Sequence, residues 1–125
     1  MIMGGLLILV VDDSDVVRTV ARRILEDLSF VVAEAPDASE ALSICRQTMP
    51  VALIVDEMIA DLDGLDFVRE LRQSHGGEQP KVVVCMSEYT LGAATRAKRA
   101  GADEHLMKPF DRGTIEGVLQ KVGLL

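Results

Sequence analysis

Five polar residues stand at the ends of four short strand-like runs. Asp12 and Asp13 follow residues 6–11, Asp56 follows 51–55, Ser87 follows 81–86 and Lys108 follows 104–107. Brought together, three carboxylates repel one another and need a compensating cation. A hard divalent ion such as Mg²⁺ suits a few carboxylates with waters and incoming phosphate oxygens. Lys108 supplies a fixed positive charge, and the Ser87 hydroxyl can donate to a phosphoryl oxygen. The chemistry that fits is phosphoryl transfer, with an aspartate as nucleophile forming an acyl phosphate while metal and lysine spread the charge. Asp56, at the end of the middle strand, is the nucleophile candidate. Each residue taken alone has an ordinary alternative: a helix cap for Asp12 or Asp13, a loop residue for Ser87, an ion-pair partner for Lys108.

The five meet only if the intervening elements bring four strand ends to one edge. Residues 6–11 form a continuous apolar run, as a strand covered on both faces requires. Over 14–28 the period lengthens. Val16, Val20, Ile24 and Leu28 recur every four residues beside Val17, Ala21 and Leu25, while Arg18, Arg22, Arg23, Glu26 and Asp27 fall mostly opposite. This predicts an amphipathic helix. Residues 30–35 read as a second strand. Asp37 is placed to cap a helix, with Glu40 resembling the far half of a capping box and Ala38, Ala41, Leu42 and Cys45 facing inward. A third strand over 51–55 ends on Asp56, and after the loop 57–63 a third helix is marked by Leu65, Val68 and Leu71. A fourth strand over 81–86 precedes a helix over 90–100, closed by Gly101 at a position suited to a left-handed cap. A short fifth strand over 104–107 leads to a last helix, capped by Asp111 and carrying Ile115, Val118, Leu119 and Val122.

Five strand–helix units predict an α/β fold: a doubly wound five-stranded parallel sheet with five helices, joined by right-handed crossovers. At 125 residues the flavodoxin-like order 2-1-3-4-5 is expected, and in such sheets ligands gather at the carboxyl ends of the strands. No linker, repeat or low-complexity segment is visible, and 76–80 reads as a surface loop, so residues 1–125 are expected to form a single domain.

Composition narrows the function. Twenty acids against thirteen Lys and Arg give a net charge of -7, a surface that repels nucleic-acid backbones and anionic lipid. One Tyr, three Phe and no Trp supply little for base stacking. Cys45 and Cys85 are too few for a disulfide framework and wrongly spaced for zinc, which predicts two buried thiols in a reducing compartment. The apolar start, residues 1–11, has neither a basic flank nor a cleavage site and reads as a buried strand, not a signal peptide or membrane span. A cytoplasmic protein is expected.

The order Val10-Val11-Asp12-Asp13-Ser14, Leu53-Ile54-Val55-Asp56, Asp63-Gly64, Met86-Ser87 and Lys108-Pro109-Phe110 resembles the receiver domain of two-component response regulators over essentially the whole chain. That resemblance implies that Asp56 accepts a phosphoryl group from a histidine kinase or phosphotransfer protein. It implies that Asp12, Asp13, Asp56 and the backbone carbonyl of Met58 hold Mg²⁺, Asp12 partly through water, and that Ser87 and Lys108 bind the phosphoryl group. It also implies a cis Lys108-Pro109 bond. His105 stands where many relatives carry an aromatic that swings inward on activation; a half-exposed surface histidine is the plainer alternative. Such a domain is not an enzyme toward other substrates, catalysing only its own phosphorylation and dephosphorylation. The stretch 21–28 and the segments 107–112 and 122–125 look like alphaproteobacterial CheY-type chemotaxis regulators, single domains without an output domain that act by docking, with the flagellar motor switch as one target.

Two features depart from the family pattern: Ile59-Ala60 replaces Met-Pro after the nucleophile, and Glu88 follows the switch hydroxyl. Ala is less rigid than Pro, so a more mobile loop is expected. Glu88 opposes a phosphoryl charge only if it points inward. The fourth helix, rich in alanine, carries Arg96, Lys98 and Arg99, which gives the helix 4–strand 5–helix 5 face, the family's docking surface, a basic patch; a solvated helix is the plain alternative. Three other readings compete. In a flavodoxin, Asp12-Asp13 would repel the flavin phosphate. A haloacid-dehalogenase-type phosphatase needs a second acid two residues after its nucleophile, where Met58 carries no proton. A pseudo-receiver or a phosphate-sink or relay module shares the fold and stays open.

Overall fold

The computed structural model describes residues 5–60 and 62–125. Strands β1 (Leu7–Val11), β2 (Val31–Ala35), β3 (Ala52–Asp56), β4 (Lys81–Met86) and β5 (Glu104–Met107) alternate with helices α1 (Asp15–Asp27), α2 (Ala38–Gln47), α3 (Gly64–Gln73), α4 (Leu91–Ala100) and α5 (Arg112–Lys121). The strands form one parallel sheet in the order β2-β1-β3-β4-β5, the predicted topology.

Side chains alternate across a strand, so each apolar run feeds two cores. Ile8, Val10, Ile54, Val83 and Cys85 pack on one face with Ala21 and Leu25 of α1 and Ile115 and Leu119 of α5. Leu9, Val11, Leu53, Val55, Val84 and Met86 fill the other, against Ala41 of α2, Phe67, Val68 and Leu71 of α3, and Ala97 of α4. Burial on both faces explains why the runs are apolar without alternation. In register, Val11 lies level with Val55, Asp56 with Cys85, and Met86 with Met107. The residues just past those ends therefore emerge along one edge.

Four details depart from the sequence reading. On α1, Val16 and Val20 are exposed, 72% and 41%; the buried stripe is Ala21 and Leu25. Asp37 caps α2 by accepting from the Glu40 amide at 2.8 Å, yet the reciprocal capping box is at α5. There Asp111 accepts from the Thr114 amide while the Thr114 hydroxyl accepts from the Asp111 amide, both at 2.9 Å. The apolar start is a strand only from Leu7, Leu6 being exposed; residues 1–4 lie outside the described residues. The loop 57–63 holds a two-residue antiparallel ladder, Met58–Ile59 with Leu62–Asp63, and Ile59 is buried in the core; Asp61 is outside the described residues.

Gly101 does close α4 in the left-handed region, at φ 117°. Arg72 then threads that corner, donating to the carbonyls of Gly101, Gly77 and Pro80 and to Asp103 at 2.7–3.0 Å, which ties the loop 76–80 to the sheet. Both cysteines are free and buried. Burial pushes the Cys45 thiol up to about 11 and that of Cys85 up to about 12, so neither is a thiolate at neutral pH. Among the described residues no helix is long and apolar enough to cross a membrane.

Candidate functional site

Asp12 leaves β1 buried, only 2% exposed, and is the one buried charged residue among the described residues. The two oxygens of its carboxylate have separate partners. Oδ1 accepts from the Ser14 amide at 2.9 Å, and Oδ2 lies 2.8 Å from Lys108 Nζ. The cap of α1 is Ser14, which accepts from the Val17 amide, so neither Asp12 nor Asp13 fills that ordinary role. Asp56, the last residue of β3, places Oδ1 3.2 Å from the same ammonium. Asp12, Asp13 and Asp56 each offer a carboxylate oxygen within 4.8 Å of the others.

One lysine thus pairs with two of three clustered acids. Burial pushes the Asp56 carboxyl above its ordinary value and the Asp12 charge adds to the effect; the hydrogen bond and charge of Lys108 and the Glu57 amide only partly offset them. Burial opposes the charge on Lys108, but its hydrogen bonds and attraction to Asp12 and Asp56 prevail and hold the ammonium above its usual value. The pocket keeps an excess of negative charge, and its all-oxygen donor set fits a small hard divalent cation.

Backbone packing sets these positions. Gly64 opens α3 against the Asp56 carbonyl: a Cβ there would stand 2.1 Å from that oxygen, so no larger residue fits. Its amide donates to the Glu57 carbonyl at 2.9 Å. Lys108 is aimed by its own amide, which donates to the Met86 carbonyl at 2.8 Å, and the following Lys108-Pro109 bond is cis, as the resemblance implies.

Ser87 follows β4 with its side chain exposed and its amide donating to Glu57 Oε1 at 3.3 Å. Glu88 is exposed and makes no ion pair among the described residues. Met58 begins the small ladder two residues past Asp56 with its side chain exposed. His105 is half-buried on β5 and its ring lies 5.1 Å from that of Tyr89, tilted by 33°. The two line a cleft of about 220 Å³ with Ala94, Ala97 and Lys98 of α4. Arg96, Lys98 and Arg99 are exposed and free of ion pairs among the described residues.

Two participants escaped the sequence reading. Arg18 falls on the polar side of α1 by periodicity, yet its side chain is 11% exposed. It donates to the Asp12 carbonyl and to Asp15 and, through Nε at 3.1 Å, to Glu34 of β2; Arg22 donates to the other Glu34 oxygen at 2.6 Å. The second is Glu57, whose contact with Ser87 spans thirty residues. Only an acid placed next to a nucleophile candidate could have flagged it.

The response regulator receiver domain family matches residues 8–120. Response regulator MprA of Mycobacterium ulcerans is 38% identical over 103 residues, which cover 82% of this chain and 44% of MprA; the chain thus matches less than half the length of that relative. Among solved structures, chemotaxis protein CheY4 of Vibrio cholerae superposes with a TM-score of 0.91 at 27% identity, covering 95% of this chain and 99% of CheY4. The receiver domain of sensor histidine kinase PA1611 of Pseudomonas aeruginosa, which carries a magnesium ion in its active-site cleft, gives 0.85 at 27% identity, covering 94% of this chain and 97% of that one.

Proposed function

The chain belongs to the response regulator receiver domain family, and from that premise we propose that it is a phosphorylated signalling switch whose acceptor is Asp56. The observation that carries this reading is the Lys108 ammonium shared by Asp12 and Asp56 beside Asp13. An Asp56 oxygen bonds to phosphorus as the bond from phosphorus to the donor's imidazole nitrogen breaks, its electron pair leaving with the nitrogen. Lys108 holds a phosphoryl oxygen and offsets charge, and the Ser87 hydroxyl donates to another. Asp12, Asp13, Asp56 and the Met58 carbonyl would hold Mg²⁺, which supplies charge neutralisation for the transferring group. The domain catalyses nothing else and acts in the cytoplasm.

The phosphodonor is a histidine kinase or phosphotransfer protein, and exposed Val16 and Val20 with Pro109 and Phe110 give it an apolar seat beside the pocket. The output is docking of a target on the α4–β5–α5 face, in chemotaxis, where the flagellar motor switch is the candidate; similarity to CheY4 supports that finer reading. Incubation with Mg²⁺ and acetyl phosphate, followed by intact-mass measurement, tests the core of it. A one-phosphoryl gain in the parent and none in Asp56→Asn is expected. No gain in either rules it out in favour of a pseudo-receiver.

A further inference from the structure

Residues 87–89 are exposed and lie between two fixed points: the Met86 carbonyl, taken by the Lys108 amide, and Thr90, which caps α4. Among the described residues the only hydrogen bond made by residues 87–89 is that from the Ser87 amide to the Glu57 carboxylate. The Glu57 backbone is itself held on both sides. Its amide donates to the Cys85 carbonyl of β4 at 3.1 Å, and its carbonyl accepts from Gly64 at the start of α3 at 2.9 Å. A carboxylate on a fixed backbone, one residue from Asp56, thus holds the segment that carries the switch hydroxyl.

We propose that Glu57 is a positioning residue that holds Ser87 in the resting arrangement, and that a phosphoryl group on Asp56 displaces it. This rests on Asp56 being the acceptor. A phosphoryl group adds negative charge beside Glu57 in a partly desolvated cleft, where like charges repel strongly. Its oxygens also compete for the donors of Ser87. The same charge that attracts the hydroxyl therefore releases the amide, so one event both frees and recaptures the segment. Without the tether, the unmodified protein samples the released arrangement more often.

Amide exchange at Ser87, read by NMR in the unmodified protein, in Glu57→Gln and in Glu57→Ala, tests the tether. Exchange should quicken about fivefold in Glu57→Ala, the factor expected for losing one charge-assisted hydrogen bond at an exposed site. Glu57→Gln, whose carboxamide oxygen still accepts, should restore part of the protection, while amides of Val83 and Val84 stay unchanged. With acetyl phosphate and Mg²⁺, the Ser87 resonance should move less in Glu57→Gln than in the parent, because a neutral side chain is not repelled. Equal Ser87 exchange in parent and Glu57→Ala overturns the tether, even where the parent gains a phosphoryl mass. Faster exchange in Glu57→Ala with no mass gain in the parent upholds the tether and overturns phosphorylation, and with it the displacement.

Discussion

Lys108 Nζ stands 3.2 Å from Asp56 Oδ1, yet the Asp56 carboxyl remains above its ordinary value. The lysine is shared: Asp12 Oδ2 is closer, at 2.8 Å, and Asp12 also repels Asp56. The pocket is therefore left with a charge that a metal and a phosphoryl group can use.

Asp56→Asn should accordingly raise Tm at neutral pH. A carboxyl whose folded pKa exceeds its unfolded one costs stability above the folded pKa and nothing below the unfolded one, so the gain shrinks as the solution is acidified. Each kcal/mol relieved is about 4 °C for a domain of this size. Mg²⁺ should raise the parent's Tm more than the variant's. Thermal melts at neutral and acid pH, with and without Mg²⁺, check both; a lower Tm for the variant at neutral pH contradicts the charge argument.

Lys108→Ala strands Asp12 and Asp56 without their cation. Breaking a fully buried pair costs roughly 3–5 kcal/mol. Lys108 keeps 21% of its side chain exposed, so a loss of about 2 kcal/mol is expected, together with loss of the phosphoryl mass gain. The raised Lys108 pKa makes its contribution complete below the unfolded lysine value and lost as pH rises through the folded one. Urea melts should show a constant deficit near neutrality that closes only in strong alkali.

Arg18→Ala removes a fork that joins the Asp12 carbonyl, Asp15 and Glu34. A cost of about 1–2 kcal/mol follows from the acceptors left short. Because the fork steadies the turn that carries Asp12 and Asp13, Mg²⁺ affinity by calorimetry should fall about tenfold. Arg18→Lys should recover little, since an ammonium cannot match the planar fork. Unaltered Mg²⁺ affinity would confine Arg18 to a purely structural role.

Reversing the α4 charge in an Arg96→Glu, Arg99→Glu double variant should weaken docking of the phosphorylated protein to its target at least tenfold. The phosphoryl mass gain should persist, because neither side chain reaches the acids. Pull-down of phosphorylated parent and variant, scored beside intact mass, separates the two effects. Undiminished binding would place the docking surface elsewhere.

Much of the site was legible because a parallel sheet covered on both faces writes itself as apolar runs, and each run ends at one edge of the sheet. The candidacy of Asp12, Asp13, Asp56, Ser87 and Lys108 follows from periodicity and from the rule that ligands meet at strand ends, and the strand order that gathers them from the chain length and the common doubly wound topology. The tertiary structure alone decided which side of a helix counts as inside. The apolar stripe of α1 is wider than the surface the sheet can cover, so Val16 and Val20 remain outside while Arg18, polar by pattern, is drawn in by the Asp12 carbonyl and Glu34. The contact between Glu57 and Ser87 was equally hidden, since two residues thirty apart meet only once β3 and β4 lie in register. Residue types determined which charges this pocket holds; packing determined that one lysine is shared between two acids and that Asp13 stands beside them without it.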